Sequence, residues 1–392
     1  MSYRVCIPTA GTGSRLNSLT RFINKSMVSI SNRPMLCHLI EQFPGDTEFV
    51  LALGHKGKLV REFLELAYPD RKFFFADVQP FEGPGAGLGL SLLACKEFLQ
   101  QPFIFISCDT LVKEAIPASD ENWMAYAEAD DLQPYRTLAV DGTRVASICE
   151  KGVGKIDSNK AYIGLAGIHD YKIFWESMEH GGDEAIQAGE GHGLRALLPS
   201  NITAHEFTWF DTGNPAALAR ARDVYREPDA PNILEKANEA IWFVRDQVIK
   251  FSDDQKFIAN RVKRVDELQG FVPEVTGDRP HMYRYPKVDG KVVSESITLP
   301  LFGRLLEHCK SFWVKKALNT SEASEFEKTC LSFYRDKTFE RVELFYKNYS
   351  RKDGTESING QTMPKLDDLL NKLDWCWLAD GLPGRFHGDF HF

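Results

Sequence analysis

The chain has no run approaching the roughly 18 consecutive apolar residues of a membrane-spanning helix. It also has no basic tract, and its net charge is −8. The first absence excludes a helical membrane span. The second argues against nucleic acid or an anionic membrane as a partner, because both are bound by clustered lysine and arginine. Eight cysteines are scattered without a Cys-x-x-Cys pair, so neither a zinc site nor a disulfide framework is expected. Reducing cytoplasm is then the simplest compartment. The segment Met1–Ile7 leads straight into a strand-like run and has no signal-peptide core or cleavage site. There is no internal repeat and no low-complexity tract.

What is there is a globular composition. The chain has 392 residues, 43% hydrophobic and 26% charged, enough for two domains of ordinary size. An acidic protein that handles phosphates must gather positive charge locally, so the positions of a few cations matter more than the total. Residues 1–228 alternate β-rich runs with helical patterns, the rhythm of a parallel sheet flanked by helices. Strands are expected near residues 3–9, 48–53, 72–78 and 103–108, with helices at 34–43, 58–67 and 88–99. Asp141-Gly142 signals a hairpin between residues 136–140 and 143–149. A last strand at 204–209 precedes Asp211-Thr212-Gly213 and a helix near 215–225. Arg226–Pro231, with two prolines and opposed charges, reads as a linker. Beyond it come strands at 241–244 and 247–251, a helix near 254–268, a hairpin around Val288–Lys291, and mainly helix from Leu299.

The loop Ala10-Gly11-Thr12-Gly13-Ser14-Arg15 follows the first strand directly. Its glycines allow backbone N–H groups to approach a phosphate, and Arg15 adds a permanent positive fork. Lys25 offers a second cation. The loop is neither a Walker A sequence nor a dinucleotide fingerprint, because the closing Lys-Ser/Thr and the third glycine are missing. Asp109 ends the strand 103–108, and Asp211 repeats that arrangement about a hundred residues on. Ligands of open parallel sheets gather at such strand ends. Mg²⁺ needs only one or two carboxylates when substrate phosphates complete its shell. A helix N-cap would account for either aspartate equally well.

These residues carry a resemblance. Gly11–Leu16 followed nine residues later by Lys25 is similar to the pyrophosphorylase motif of the sugar-phosphate nucleotidyltransferase family. That family includes glucose-1-phosphate thymidylyltransferases, uridylyltransferases and bacterial phosphocholine cytidylyltransferases. The resemblance implies a Rossmann-like α/β domain with a mixed, mostly parallel sheet over residues 1–228. It implies a loop from Ala10 to Ser14 around the triphosphate, with Arg15 and Lys25 on its phosphates. Asp109 looks like the family's first metal aspartate, and Trp209-Phe210-Asp211-Thr212-Gly213 like its second metal motif, with Mg²⁺ as cofactor. Glu150-Lys151 resembles the pair that binds the acceptor, Glu on a hydroxyl and Lys on the phosphate, with Gly152 standing where proline is usual. Tyr162–Ile168 resembles the acceptor strand, with Gly164 its close-approach glycine. Gln79 and Gly85 resemble the base-reading segment, at a spacing one residue longer than usual.

The end of the chain carries a second resemblance. Phe386-His387-Gly388-Asp389-Phe390-His391-Phe392 is similar to the catalytic loop of the aminoglycoside phosphotransferase and choline kinase family. It implies that residues 229–392 are a partial protein-kinase-like α+β domain. Lys250 would be its phosphate-gripping lysine and Asp389 the acceptor of the substrate hydroxyl's proton. The sequence given stops before the asparagine and metal aspartate that follow in that family, so no phosphate transfer is expected of it.

The expected function is transfer of a nucleoside monophosphate from a nucleoside triphosphate to a sugar 1-phosphate or another small phosphorylated metabolite, releasing pyrophosphate for surface-polysaccharide or lipid precursor synthesis. Two alternatives stay open: a CTP:phosphocholine-type cytidylyltransferase coupled to the kinase-like domain, and a regulatory nucleotide-binding protein without turnover. Members of the family often self-associate.

Overall fold

The structure is a computed structural model that describes residues 3–155, 158–227, 231, 233–234, 236–291 and 293–385. The chain divides into two compact units, Met1–Val288 and Asp289–Phe392.

In the first unit, four short apolar runs, Arg4–Pro8, Glu48–Leu53, Phe73–Asp77 and Phe103–Ile106, pair in parallel. Val5–Pro8, Phe49–Leu53 and Phe103–Ile106 are continuously buried, as central parallel strands covered on both faces must be. Helices Met35–Ile40, Gly57–Ala67 and Leu88–Cys95 fall in the intervals between them. Beyond Phe103–Ile106 the sheet becomes mixed. Lys160–Ile168 runs antiparallel to it and leads on to Trp123–Ala127, Thr203–Glu206, Arg144–Cys149 and Thr137–Asp141, making nine strands. The Asp141-Gly142 turn closes its hairpin with Gly142 at φ 59°, where a tight reversal favours glycine.

Two expected elements differ. The strand read as residues 204–209 is broken. Thr203–Glu206 stays in the large sheet, whereas Trp209–Asp211 leaves it and pairs antiparallel with Thr110–Val112. The break is fixed from a distance, because the Glu114 carboxylate accepts from Thr208 N at 2.8 Å and Thr208 Oγ1 at 2.6 Å. The hairpin expected around Val288–Lys291 is absent among the described residues. The reversal instead lies at Pro280-His281, between Gly277–Arg279 and Met282–Pro286. Asp289-Gly290 has no partner strand on its far side, since Val293–Ser296 is helical.

A second, four-stranded antiparallel sheet has the order Glu239–Val244, Gln247–Ser252, Met282–Pro286, Gly277–Arg279. It shares the core of the larger sheet. The buried Trp242 ring packs edge-to-face on Phe63 with centroids 5.2 Å apart, and its Nε1 donates to Ser29 Oγ at 3.0 Å. Arg284 Nη1 donates to Leu66 O at 2.6 Å. This shared packing is why the first unit runs past the Pro-rich stretch near residue 228 and ends at Val288.

The second unit is mainly helical: Leu299–Phe312, Thr320–Leu331, Lys337–Asn348, Leu366–Leu370 and Trp375–Ala379, with one small hairpin, Glu356–Ile358 with Gln361–Met363. Asn319 and Glu322 form a reciprocal capping box at the start of the second of these helices. Among its described residues only Phe312, Leu370 and Ala379 are buried apolar side chains. No helix of the described residues is long and apolar enough to cross a membrane.

Candidate functional site

The first strand delivers its loop to the carboxyl edge of the parallel sheet. Gly13 sits at φ 66°, and a Cβ there would come within 2.7 Å of Lys25 Cβ. Both the backbone angle and the lack of room therefore demand glycine. Ser14–Thr20 is a 3₁₀ turn, not the start of an α-helix. The fully buried Asn24 anchors the next segment. Its Nδ2 donates to Thr9 O and His55 O at 2.9 and 2.6 Å, and its Oδ1 accepts from Ser26 N at 2.9 Å. Lys25 is thereby held against the strand end, where its Nζ donates to Asp109 Oδ2 at 2.5 Å.

The two candidate metal aspartates sit side by side. Asp211 lies opposite Thr110 in the two-stranded ladder, and Thr212 donates from both its N and its Oγ1 to Asp109 O, each at 3.0 Å. Neither aspartate caps a helix. Asp109 is followed by a strand, and the helix Pro215–Val224 is capped by Asn214, whose side chain accepts from Ala217 N at 3.0 Å. A Cβ on Gly213 would stand 2.8 Å from Asp109 Oδ2, 3.0 Å from Asp211 Oδ1 and 3.2 Å from Arg15 Nη2. Two carboxylates and a guanidinium therefore converge on one point that only glycine leaves open.

The electrostatics follow from that crowding. Burial alone would raise the Asp109 carboxyl, but the Lys25 ammonium and Ser107 Oγ, donating at 2.6 Å, outweigh it and hold the group down at about 2. Burial would likewise strip Lys25 of its proton, and the Asp109 charge reverses this and pushes the ammonium above its ordinary value. Asp211 Oδ1 accepts from Gly213 N at 2.7 Å, and its Oδ2 from Tyr135 Oη at 3.3 Å.

Asp109 and Asp211 suit Mg²⁺, which takes one or two carboxylates and fills its octahedron with water and phosphate oxygens. Among the described residues no group of three or more His, Cys, Asp or Glu side chains is arranged to hold a metal by itself.

Ala10–Arg15, Lys25, Asp109, Asp211, Lys151 and Gly164 all line one cleft of about 780 Å³. Gly164 is at φ 73°, and a Cβ there would press to 2.9 Å from Ser107 Cβ. Other expected site residues lie elsewhere. Glu150 is not part of the cleft wall and is turned onto Arg195 and onto Arg136 Nη2, the latter at 3.4 Å. Gln79 and Gly85 are exposed and outside the wall; Phe81, Glu82, Gly83, Ala86 and Gly87 supply that side. Lys250 is half-buried in the second sheet, away from the cleft. Asp389 lies outside the described residues. A separate cavity of about 720 Å³, bordered by Asn32, Arg222 and Phe251, contains none of the expected site residues.

Three cleft residues gave no sequence signal of function, Tyr135, Arg136 and Glu190; Tyr162, at the start of the expected acceptor strand, also lines the cleft. Arg136 Nη1 donates to Glu190 Oε1 at 3.0 Å and its Nη2 to Ala188 O at 2.7 Å. The only hint is Gly191, where a Cβ would meet Arg136 Cζ at 2.4 Å. Burial raises the Glu190 carboxyl against the pull of Arg136.

A glycine loop, local cations and paired carboxylates at the carboxyl edge of a parallel sheet make a cleft suited to polyphosphate anions. No protein-family model matches the chain. The low-salt glycan biosynthesis nucleotidyltransferase Agl11 of Haloferax volcanii is 26% identical over 238 residues, 56% of this chain and 65% of that protein. The bifunctional protein GlmU of Methanococcus maripaludis is 26% identical over 147 residues, 36% of this chain and 34% of its own length. The chain thus spans less than two thirds of each of these relatives. A solved UDP-glucose pyrophosphorylase complexed with UDP-glucose aligns with 57% of this chain and 98% of its own, at 18% identity and a TM-score of 0.49. The sequence similarities relate the N-terminal part of the chain to sugar-phosphate nucleotidyltransferases.

Proposed function

We propose that the first unit transfers a nucleoside monophosphate from a nucleoside triphosphate to a small phosphorylated metabolite. The observation that carries this reading is the convergence of Asp109, Asp211 and Arg15 beside Gly213, at the mouth of the Ala10–Ser14 loop. The loop's backbone N–H groups would cradle the triphosphate, and Gly13 and Arg15 would follow it toward the leaving pyrophosphate. Lys25 would exchange its contact with Asp109 for an α-phosphate oxygen. Lys151 would hold the acceptor's phosphate, and the Gln79–Gly87 segment is where we place recognition of the base. An oxygen of the acceptor's phosphate attacks the α-phosphorus, the bond from that phosphorus to the bridging oxygen breaks, and pyrophosphate leaves. The attacking group is already an anion near neutral pH, so no general base is needed. Positioning and charge neutralisation carry the rate. Mg²⁺ bound to Asp109 and Asp211 would supply further neutralisation of the phosphate oxygens.

Pyrophosphate release from each of four nucleoside triphosphates, with glucose 1-phosphate, glycerol phosphate and phosphocholine as acceptors, tests the reading. Asp109→Ala and Asp211→Ala are each expected to lower the rate by about a hundredfold or more. Near-normal turnover in either variant contradicts the assignment.

A kinase-like reading of residues 229–392 is supported by one feature, a strand-borne lysine, Lys250, in an antiparallel sheet followed by the helix Gln255–Glu267. Its test is ATP binding by the chain before and after Lys250→Met. Unchanged affinity would remove it.

A further inference from the structure

The two candidate metal aspartates meet because one short ribbon keeps its register. Thr110–Val112 and Trp209–Asp211 pair over three residues, with Asp211 opposite Thr110. Nearly a hundred residues of chain separate the two strands, so no hairpin turn sets their alignment. The apolar pattern does not set it either. Thr110, Leu111 and Val112 are all buried, and Trp209 and Phe210 put an aromatic ring on each face. A slip of one residue would move the Asp211 carboxylate to the other face of the ribbon.

The ribbon is aligned instead by its two ends. Beside the site, Thr212 N and Oγ1 both donate to Asp109 O, each at 3.0 Å. At the far end, Thr208 N and Oγ1 both donate to the Glu114 carboxylate, at 2.8 and 2.6 Å, and Lys113 N donates to Thr208 O at 3.3 Å. This second clasp competes with the large sheet. Thr203–Glu206 runs parallel beside Trp123–Ala127, and Phe207 N still donates to Tyr126 O at 2.9 Å. Thr208 is the first residue drawn away, and a charged acceptor for both of its donors outweighs a neutral ladder bond. Removing the carboxylate would let Trp209–Asp211 follow the large sheet and carry Asp211 away from Asp109.

Glu114 is no part of the site itself. It and Thr208 are exposed, and neither lines the cleft. Three steps of strand, about 10 Å, lie between Thr208 and Asp211. We propose that Glu114 is a positioning residue for the metal site: it holds Asp211 in register beside Asp109 and acts only through Thr208. The inference rests on the transferase reading and its metal assignment.

The test separates the metal's share of nucleotide binding from the rest. The full chain is titrated, without acceptor, with each of the four nucleoside triphosphates, once with Mn²⁺ and once with EDTA. The proteins compared are wild type, Asp211→Ala, Glu114→Ala and Glu114→Gln. In wild type, Mn²⁺ should tighten the binding of at least one triphosphate, and Asp211→Ala should abolish that gain. Glu114→Ala should cut the Mn²⁺-dependent gain by about tenfold, the order seen when a group that orients a metal ligand from behind is removed. Its affinity in EDTA and its melting temperature should stay at wild-type values, which a merely structural role would not produce. Glu114→Gln keeps the size but turns one accepting oxygen into a donor, and should lose part of the gain. It decides the matter if the alanine variant unfolds. A full gain in both Glu114 variants, or equal losses with Mn²⁺ and with EDTA, overturns this inference alone. No nucleotide binding in wild type, or a gain that survives in Asp211→Ala, overturns the transferase reading, and this inference with it.

Discussion

Lys25 and Asp109 each sit where burial opposes their charge, and each keeps it because of the other. The sign of the resulting pH dependence follows. The Asp109 carboxyl lies at about 2, below its ordinary 3.8, so its contribution is complete above that ordinary value and is lost as pH falls toward 2. Lys25 is raised from 10.5, so its contribution is complete below that value and fades only in strong base. The pair therefore stabilises the fold throughout the neutral range. Asp109→Asn is expected to lower unfolding free energy by on the order of 2 kcal/mol at pH 7, and by much less at pH 2.5. Urea titrations of both proteins at the two pH values check this; an equal loss at both would show that the ion pair contributes nothing. Sequence alone exposed both aspartates but left each open to a capping role. Asn214 settles the second, a residue whose pattern gave no warning. Glu190 was silent altogether, because its place in the cleft is fixed by a guanidinium 54 positions away in sequence.

Strands of the parallel half were legible because full burial on both faces imposes continuous apolar runs, and Gly142 was legible because its turn needs a positive φ. The break at Phe207–Thr208 was not. It depends on Glu114, nearly a hundred residues away, taking both donors of Thr208. That break carries Asp211 over to Asp109, so the illegible kink is also the functional one. Gly213 completes the turn and tests it. Gly213→Ala would drive a methyl group to 2.8 Å from Asp109 Oδ2 and 3.0 Å from Asp211 Oδ1. Circular dichroism should report an intact fold while pyrophosphate release falls by about a hundredfold. Full activity in the alanine variant would mean that the space beside the carboxylates is unused.

At the scale of the whole chain, the Pro-rich stretch near residue 228 looked like a boundary, yet the packing continues across it. Linker composition is a local signal, whereas the unit is set by packing between distant residues, such as the edge-to-face contact of Trp242 on Phe63. Trp242→Ala should therefore destabilise the first unit, by about 3 kcal/mol or more. A chain ending at residue 227 should melt well below one ending at Val288. Equal melting temperatures would show that the four-stranded sheet is a separate appendage.

The proposed function requires a triphosphate lying along Ala10–Arg15 with a metal ion held between Asp109 and Asp211. Crystals grown with Mn²⁺ and a non-hydrolysable nucleoside triphosphate test this most directly through the anomalous signal of the ion. The account predicts a peak beside Gly213, within coordination distance of both aspartates, and phosphate density over the glycine loop. A peak bound to neither carboxylate, or nucleotide bound outside the cleft, would contradict it.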